Sequence, residues 1–373
     1  MKTRLAVALI LIFAAVPRQA QQTQTPAPGR NVMSIEEYDP KSTLVVPQHP
    51  TPRARYPFID VHNHQDQEMS EADTKHLVEE MDGINLQVMV NLSGGSAETF
   101  KHRLAGLKGR YPARFVQFAN VDFSRIDDPD FGERAAKQLE ADVRNGAQGL
   151  KIFKNLGMFV RDAKGNRVHT DDPRLDPIWE KAGDLHIPVL IHTGEPAPFW
   201  LPVDKYNERW IELNEFPGRR RSDVTKFASF EETMAEQHNL FRKHPRTTFI
   251  DAHLGWLGHD LARLGRLLDE LPNVYTEMGA VLYELGRQPR AARAFLIKYQ
   301  DRVMMGKDIW AANEYPVYFR VLETEDEYFD YYRKRHATWK MYGLGLPDEV
   351  LKKIYYKNPL KIIPGIDPSP FPK

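Results

Sequence analysis

Not one of the 373 residues is a cysteine, which excludes disulfides, thiolate nucleophiles and cysteine-type zinc sites. Neither sign of charge dominates, since 51 basic side chains balance 51 acidic ones. A chain with no basic surplus is a poor match for a polyanion, so nucleic acid is not an expected partner. Long apolar runs are scarce as well. The longest, residues 5–16, follows Lys2 and Arg4; it has the length of a signal-peptide core and falls short of the ~20 residues that span a bilayer. What is present is ordinary globular material, 42% hydrophobic and 27% charged. That supports one large domain with extensions. With thirteen histidines available, any metal chemistry must use His, Asp and Glu.

Residues 1–20 read as a signal peptide, so the protein is expected to be exported, periplasmic or secreted, with no membrane anchor after cleavage. Residues 21–56 are rich in Gln, Thr and Pro and show no hydrophobic period. They are expected to form a linker or a wrapping arm. A barrel domain is expected over 57–366, with a short tail at 367–373.

From Tyr56 onward, short β-branched or apolar runs recur at 58–64, 87–92, 115–121, 149–154, 187–193, 247–253, 273–278 and 302–308. Helix signals separate them. Ser70 with Asp73, Ser96 with Thr99 and Ser229 with Glu232 have the spacing of N-caps, and Gly83 and Gly146 stand where C-caps are expected. Parallel neighbours need a crossover helix, so eight such units predict a (β/α)8 TIM barrel. The interval after strand 5 is the exception. Residues 194–228 insert a long loop, and long loops at strand C-termini cover the active-site face. Beyond strand 8, residues 324–342 read as a helix carrying Tyr328, Phe329, Tyr332 and Trp339, and a second helix is expected after Pro347. Their aromatics are assigned to packing.

Chemistry concentrates at the strand ends. Strand 1 ends Asp60-Val61-His62-Asn63-His64, and alternation puts His62 and His64 on one side, where two imidazoles can share a cation. Strands 5, 6 and 8 end in His192, His253 and Asp308. A single histidine at such a place is usually a satisfied polar group. Four strand ends agreeing in the order two His, His, His, Asp is a site hypothesis.

That order resembles the amidohydrolase superfamily. The ending Leu346-Pro347-Asp348-Glu349, followed by Lys353-Ile354-Tyr355-Tyr356-Lys357-Asn358-Pro359, is similar to its branch containing aminocarboxymuconate semialdehyde decarboxylase and related barrel hydrolases. The resemblance covers about 58–366. It implies that His62, His64, His192 and Asp308 hold one divalent ion, Zn2+ first and Mn2+ second, and that His253 assists catalysis beside it. Two departures stand out. Lys307 replaces a small hydroxyl residue before the aspartate, which puts the surroundings of that ligand in doubt. Strand 4 carries Lys151 and Lys154, where binuclear relatives hold a carboxylated lysine. The two lie three apart, so at most one faces the interior of a regular strand; a second metal, a substrate contact or a structural role are all open to it.

A divalent ion in such a site lowers the pKa of water towards ~7, and Asp308 then serves as proton shuttle while His253 stabilises charge on an attacked carbonyl. The expected reaction is hydrolysis of an amide, ester or lactone of a small, acidic substrate. Non-oxidative decarboxylation of an aromatic or dienoic acid is the alternative, and export favours hydrolysis. A non-catalytic secreted barrel with a structural metal is the remaining reading, and chelation-resistant metal would mark it. In the long loop, Phe199, Trp200, Tyr206, Trp210 and Phe216 precede Arg219, Arg220 and Arg221. As a lid it offers apolar walls, with Trp200 among them, and Arg220 as a cation; as a plain loop it packs on the rim. Glu195 meets either the metal's water or loop backbone. The partners anticipated are a small molecule and, at most, a second copy of the chain as a homodimer.

Overall fold

The computed structural model describes residues 31–65 and 68–373 in two units, 31–44 and 45–373. The expected signal peptide and the first part of the Pro-rich segment lie outside the described residues. Residues 31–44 contain one turn, in which Ser34 and Glu37 bond reciprocally.

In the second unit the eight expected runs all form strands: β1 (Phe58–Asn63), β2 (Leu86–Asn91), β3 (Phe115–Gln117, resuming at Ala119–Asn120), β4 (Leu150–Ile152), β5 (Val189–Ile191), β6 (Phe249–Asp251), β7 (Val274–Glu277) and β8 (Val303–Met304). Every pairing is parallel and joins sequence neighbours. β3 changes partner at Phe118, whose amide donates to Asn91 of β2 while the amide of Ala119 donates to Gly149 at the start of β4. The ring closes between its ends. Val61 donates to the Met305 carbonyl at 3.0 Å and Asp308 to the His62 carbonyl at 2.7 Å, with Asn63 bridged in parallel to Asp308.

Crossover helices cover the ring: α1 (Glu71–Ile84), α2 (Ala97–Gly106), α3 (Phe131–Arg144), α4 (Asp176–Asp184), then, after a short α5 (Trp210–Glu215) in the long loop, α6 (Phe230–Lys243), α7 (Leu261–Glu270), α8 (Leu282–Gly286) and α9 (Pro289–Lys298). In α7 the leucines at 261, 264, 267 and 268 are buried, each contributing about 1.5–3 kcal/mol relative to exposure. Ser70 and Ser229 cap α1 and α6 by accepting from the amides three residues on. Ser96 occupies the N-cap of α2 without a side-chain bond, and the Ala97 amide beside it donates to Asp142. Gly146 follows α3 as expected, whereas Asn85, with φ +71°, ends α1 in place of Gly83.

One element differs from expectation. The helix lies at α10 (Tyr315–Glu323), and 324–342 is an irregular excursion returning through the antiparallel bridge Phe329–Met341. Thr324 Oγ1 donates to the Arg320 carbonyl, and Tyr328 has φ +60°, which an α-helix does not accept for an L-residue. Of the four expected packing aromatics, Phe329 is buried, Tyr332 and Trp339 are half-buried against the core, and Tyr328 is exposed. The helix after Pro347 is present as α11 (Asp348–Lys352), which continues through one π-turn, Lys353–Lys357, into α12 (Asn358–Ile362).

Within this unit, residues 45–56 lie against the barrel. Ala54 donates to the Ile84 carbonyl, Arg55 to Glu323 and Asp348, and His49 to the buried Asp326. At the other end, Phe371 stacks on Tyr356 at 5.3 Å.

Candidate active site

Five of the expected residues meet at the C-terminal mouth of the ring. Nε2 of His62 lies 3.3 Å from Nε2 of His64, and these atoms stand 3.3 and 3.5 Å from one Asp308 oxygen. His253 Nε2 faces His192 Nδ1 at 3.2 Å. The ring of His253 lies 4.7 Å from that of His62, and one donor atom each from His62, His253 and Asp308 falls within 4.8 Å of the others.

The outer ring nitrogens fix what the inner ones present. His62 Nδ1 pairs with Glu277 Oε1 at 2.9 Å, and His253 Nδ1 with the Gly279 carbonyl at 2.7 Å. Both partners are acceptors, so both Nδ1 atoms carry hydrogen and both Nε2 atoms of the neutral rings turn lone pairs inward. His64 Nδ1 is held by Ser93 Oγ at 2.9 Å. Lone pairs thus converge beside a carboxylate, an arrangement that a cation resolves. The donor set, imidazoles and one carboxylate, fits a divalent ion of the zinc or manganese type.

Burial opposes ionisation of Asp308, but its proximity to His62 and His64 holds it well below the ordinary range. Burial likewise opposes Glu277, and the proximity of His62 brings it down to about 2. His62 is raised, against burial and Lys151, by Glu277 and Asp308. Burial lowers His64, takes His253 down to about 4 with help from His62, and lowers His192 far below its usual value with help from His253.

Local backbone sets the His253 geometry. Immediately after β6, residues 253–256 all have φ between 54° and 60°. The turn needs Gly255, because a Cβ there would stand 2.2 Å from Asp251 Oδ2. It lays Trp256 on the His253 ring at 4.6 Å and 29°. Gly306 has a different role: a Cβ there would sit 2.1 Å from Glu277 Oε2, so only glycine lets β8 pass the carboxylate on its way to Asp308.

An amidohydrolase sequence-family profile matches residues 44–364. The chain belongs to the amidohydrolase family. A search of curated protein sequences finds no significant match. Among solved structures, 2,6-dihydroxybenzoate decarboxylase from Rhizobium shares 16% identity over 82% of this amidohydrolase and 98% of that chain, with a TM-score of 0.53. Dihydroxybenzoic acid decarboxylase from Polaromonas sp. JS666, solved with manganese and the inhibitor 2-nitroresorcinol, shares 17% over 82% and 96%, also at 0.53. These likenesses establish the barrel fold.

The other expected residues of this amidohydrolase are placed as follows. Lys151 is wholly buried, and its Nζ has no hydrogen-bond partner among the described residues. Lys154 instead turns to Glu195, Nζ to Oε1 2.8 Å. Glu195 also accepts from Arg221 at 3.0 Å, so it meets side chains where loop backbone or metal-bound water was expected. Arg220, the expected lid cation, is exposed, and its Nε donates to the Leu213 carbonyl. The buried arginine is its neighbour Arg221, packed on Phe227 and Phe159 at 4.7 and 5.4 Å. Adjacent residues in an irregular loop face opposite ways, and no period indicates which faces in. Trp200 anchors the loop through Nε1 to the Ala228 carbonyl and an edge contact with Phe230. Lys307 points away from the ligands, its Nζ on Glu314 Oε2 at 2.5 Å and beside the Tyr332 ring.

Sequence reasoning missed Glu277, the carboxylate at the tip of β7 that orients His62 and accepts from the His253 amide at 2.7 Å. The only sequence signal was slight: a single ionisable residue at the end of β7. A second grouping, His169, Asp171 and Glu236, is already committed, because Arg167 holds both Glu236 oxygens.

Proposed function

We propose that this amidohydrolase family member is a metal-dependent hydrolase acting on an amide, ester or lactone of a small acidic substrate, in an exported protein. The observation that carries the reading is the convergence of inward-facing imidazole lone pairs on an ionised Asp308. His62, His64 and Asp308 would hold the ion, with His192 or His253 completing the set. When bound, a divalent ion there supplies Lewis acidity and lowers the pKa of water.

The chain's own groups supply the rest. Asp308, with a quarter of its side chain exposed, accepts a proton at its carboxylate and returns it to the leaving heteroatom. Neutral His253 presents a lone pair at Nε2, so it accepts a hydrogen bond from a polar group in the pocket and helps to orient it. Trp256 and the Gly279 carbonyl fix its plane. Glu277 keeps His62 in the tautomer whose Nε2 faces inward.

Decarboxylation is the second reading, favoured by the likeness to the two decarboxylase structures. It uses the same site and differs in sending the proton to carbon. Elemental analysis of His62→Ala, His64→Ala and His192→Ala tests the centre: metal content falls in each, and unchanged stoichiometry in all three removes the site. With a substrate found by screening, acid release from an ester or lactone without CO2 supports hydrolysis, and trapped CO2 replaces it with decarboxylation.

A further inference from the structure

Lys151 is a buried amine that the proposed chemistry does not use. It lies mid-strand in β4, paired between Asn120 of β3 and Leu190 of β5. Its side chain enters the barrel interior, where His62, His64, His192 and His253 all feel its charge. Nζ stands 5.5 Å from the centre of the Phe153 ring, and that ring lies 5.6 Å from His64 at the mouth, about a third exposed.

Among the described residues, the nearby carboxylates attract the Lys151 charge without bonding its Nζ. Glu277 is taken by His62 and the His253 amide, Asp308 by His62 and His64, and Glu195 by Lys154 and Arg221. A buried ammonium without a counter-ion costs several kcal/mol, and a fold retains such a group where a ligand completes it. Burial accordingly brings Lys151 down to about 7. A divalent ion leaves the three carboxylates facing three cationic side chains with a positive excess.

We infer that Lys151 is the anion anchor of the substrate pocket, its Nζ binding a carboxylate of the substrate distinct from the group that meets the metal ligands. This rests on the site proposed above and narrows its substrates to those bearing an additional anionic group. An incoming carboxylate gives Nζ its missing partner by a charge-assisted hydrogen bond, and Phe153 covers the contact from solvent.

The test is calorimetric titration of the full protein as isolated, its metal content measured, with malonate and with monomethyl malonate, which differ by one charge. Wild type is expected to bind malonate at least about tenfold more tightly, the size of one charged hydrogen bond. Lys151→Met and Lys151→Gln are both made, so that one unfolded variant does not end the test. Either is expected to lose most of that preference with metal content unchanged, while Lys154→Met keeps it. Equal binding of the two probes by wild type, a preference that survives in the Lys151 variants, or its loss in Lys154→Met instead overturns the anchor. So does loss of metal in the Lys151 variants, which makes Lys151 part of the metal centre. A Lys151-dependent preference in protein that takes up no metal upholds the anchor and refutes the metal-dependent reading, so the two failures are distinct.

Discussion

Replacing Glu277 by Gln isolates the group that sets the tautomer of the centre. The side chain keeps its shape and loses its charge. In the native protein Oε1 accepts from His62 Nδ1 and the His253 amide, and Oε2 accepts from the Gly279 amide. All three donors are N–H groups, so whichever way the Gln amide turns, its NH2 faces at least one of them. That leaves a buried donor unsatisfied, at about 1–3 kcal/mol, and reduces the other contacts from charged to neutral bonds, at about 1 kcal/mol each. A loss of roughly 3–5 kcal/mol in unfolding free energy follows, read by denaturant titration of metal-free protein. Partners that orient a metal-binding imidazole contribute ~10–100-fold in affinity, so competition against a chelator should show weakening in that range. Folded Glu277→Gln that binds metal within about twofold of wild type would refute the claim that this carboxylate orients His62.

Asp308→Asn keeps an oxygen for the ion but no base; metal-replete variant should lose ~10²–10⁴-fold in kcat, and near-normal kcat excludes Asp308 as shuttle. Gly255→Ala puts a methyl group on Asp251 in a left-handed turn and should cost about 2 kcal/mol or more, visible as lower stability and an altered near-UV signal from Trp256. Asp326 is held below its ordinary value of 3.8, against burial, by His49 and Arg320. A depressed carboxylate stabilises the fold fully above its unfolded pKa and loses that contribution as pH falls through the folded one. Asp326→Asn should therefore be less stable than wild type at pH 7, with the gap closing below pH ~4; a constant gap contradicts the assignment.

The strand tips were legible because barrel strands end where function sits, and period-two alternation already assigns one side to His62 and His64, while for Lys151 and Lys154 it says only that at most one faces in. His253 was legible as a site residue but not as a member of the tightest donor group. Its position depends on four successive left-handed residues, of which only Gly255 announces itself. Glu277 escaped because one carboxylate ending one strand carries no pattern; its meaning comes from His62, which lies far away in sequence. Arg220 and Arg221 could not be told apart without a regular period. The aromatic spacing in 324–342 fitted a helix, while the positive φ at Tyr328 is a backbone feature that spacing does not record.

The seam between β8 and β1 places the centre late in the life of the molecule. Asp60 and Lys307, joined by a hydrogen bond across that seam, are 247 positions apart, and His62 and Asp308 belong to the same two strands. A nascent chain emerging from the ribosome carries His62 and His64 long before Asp308 is synthesised. The donor set therefore assembles only when the last strand docks on the first, and loop-closure entropy makes that among the costliest contacts to form. Metal bound across the seam would act as a clasp on the closed ring, slowing its opening more than its closing.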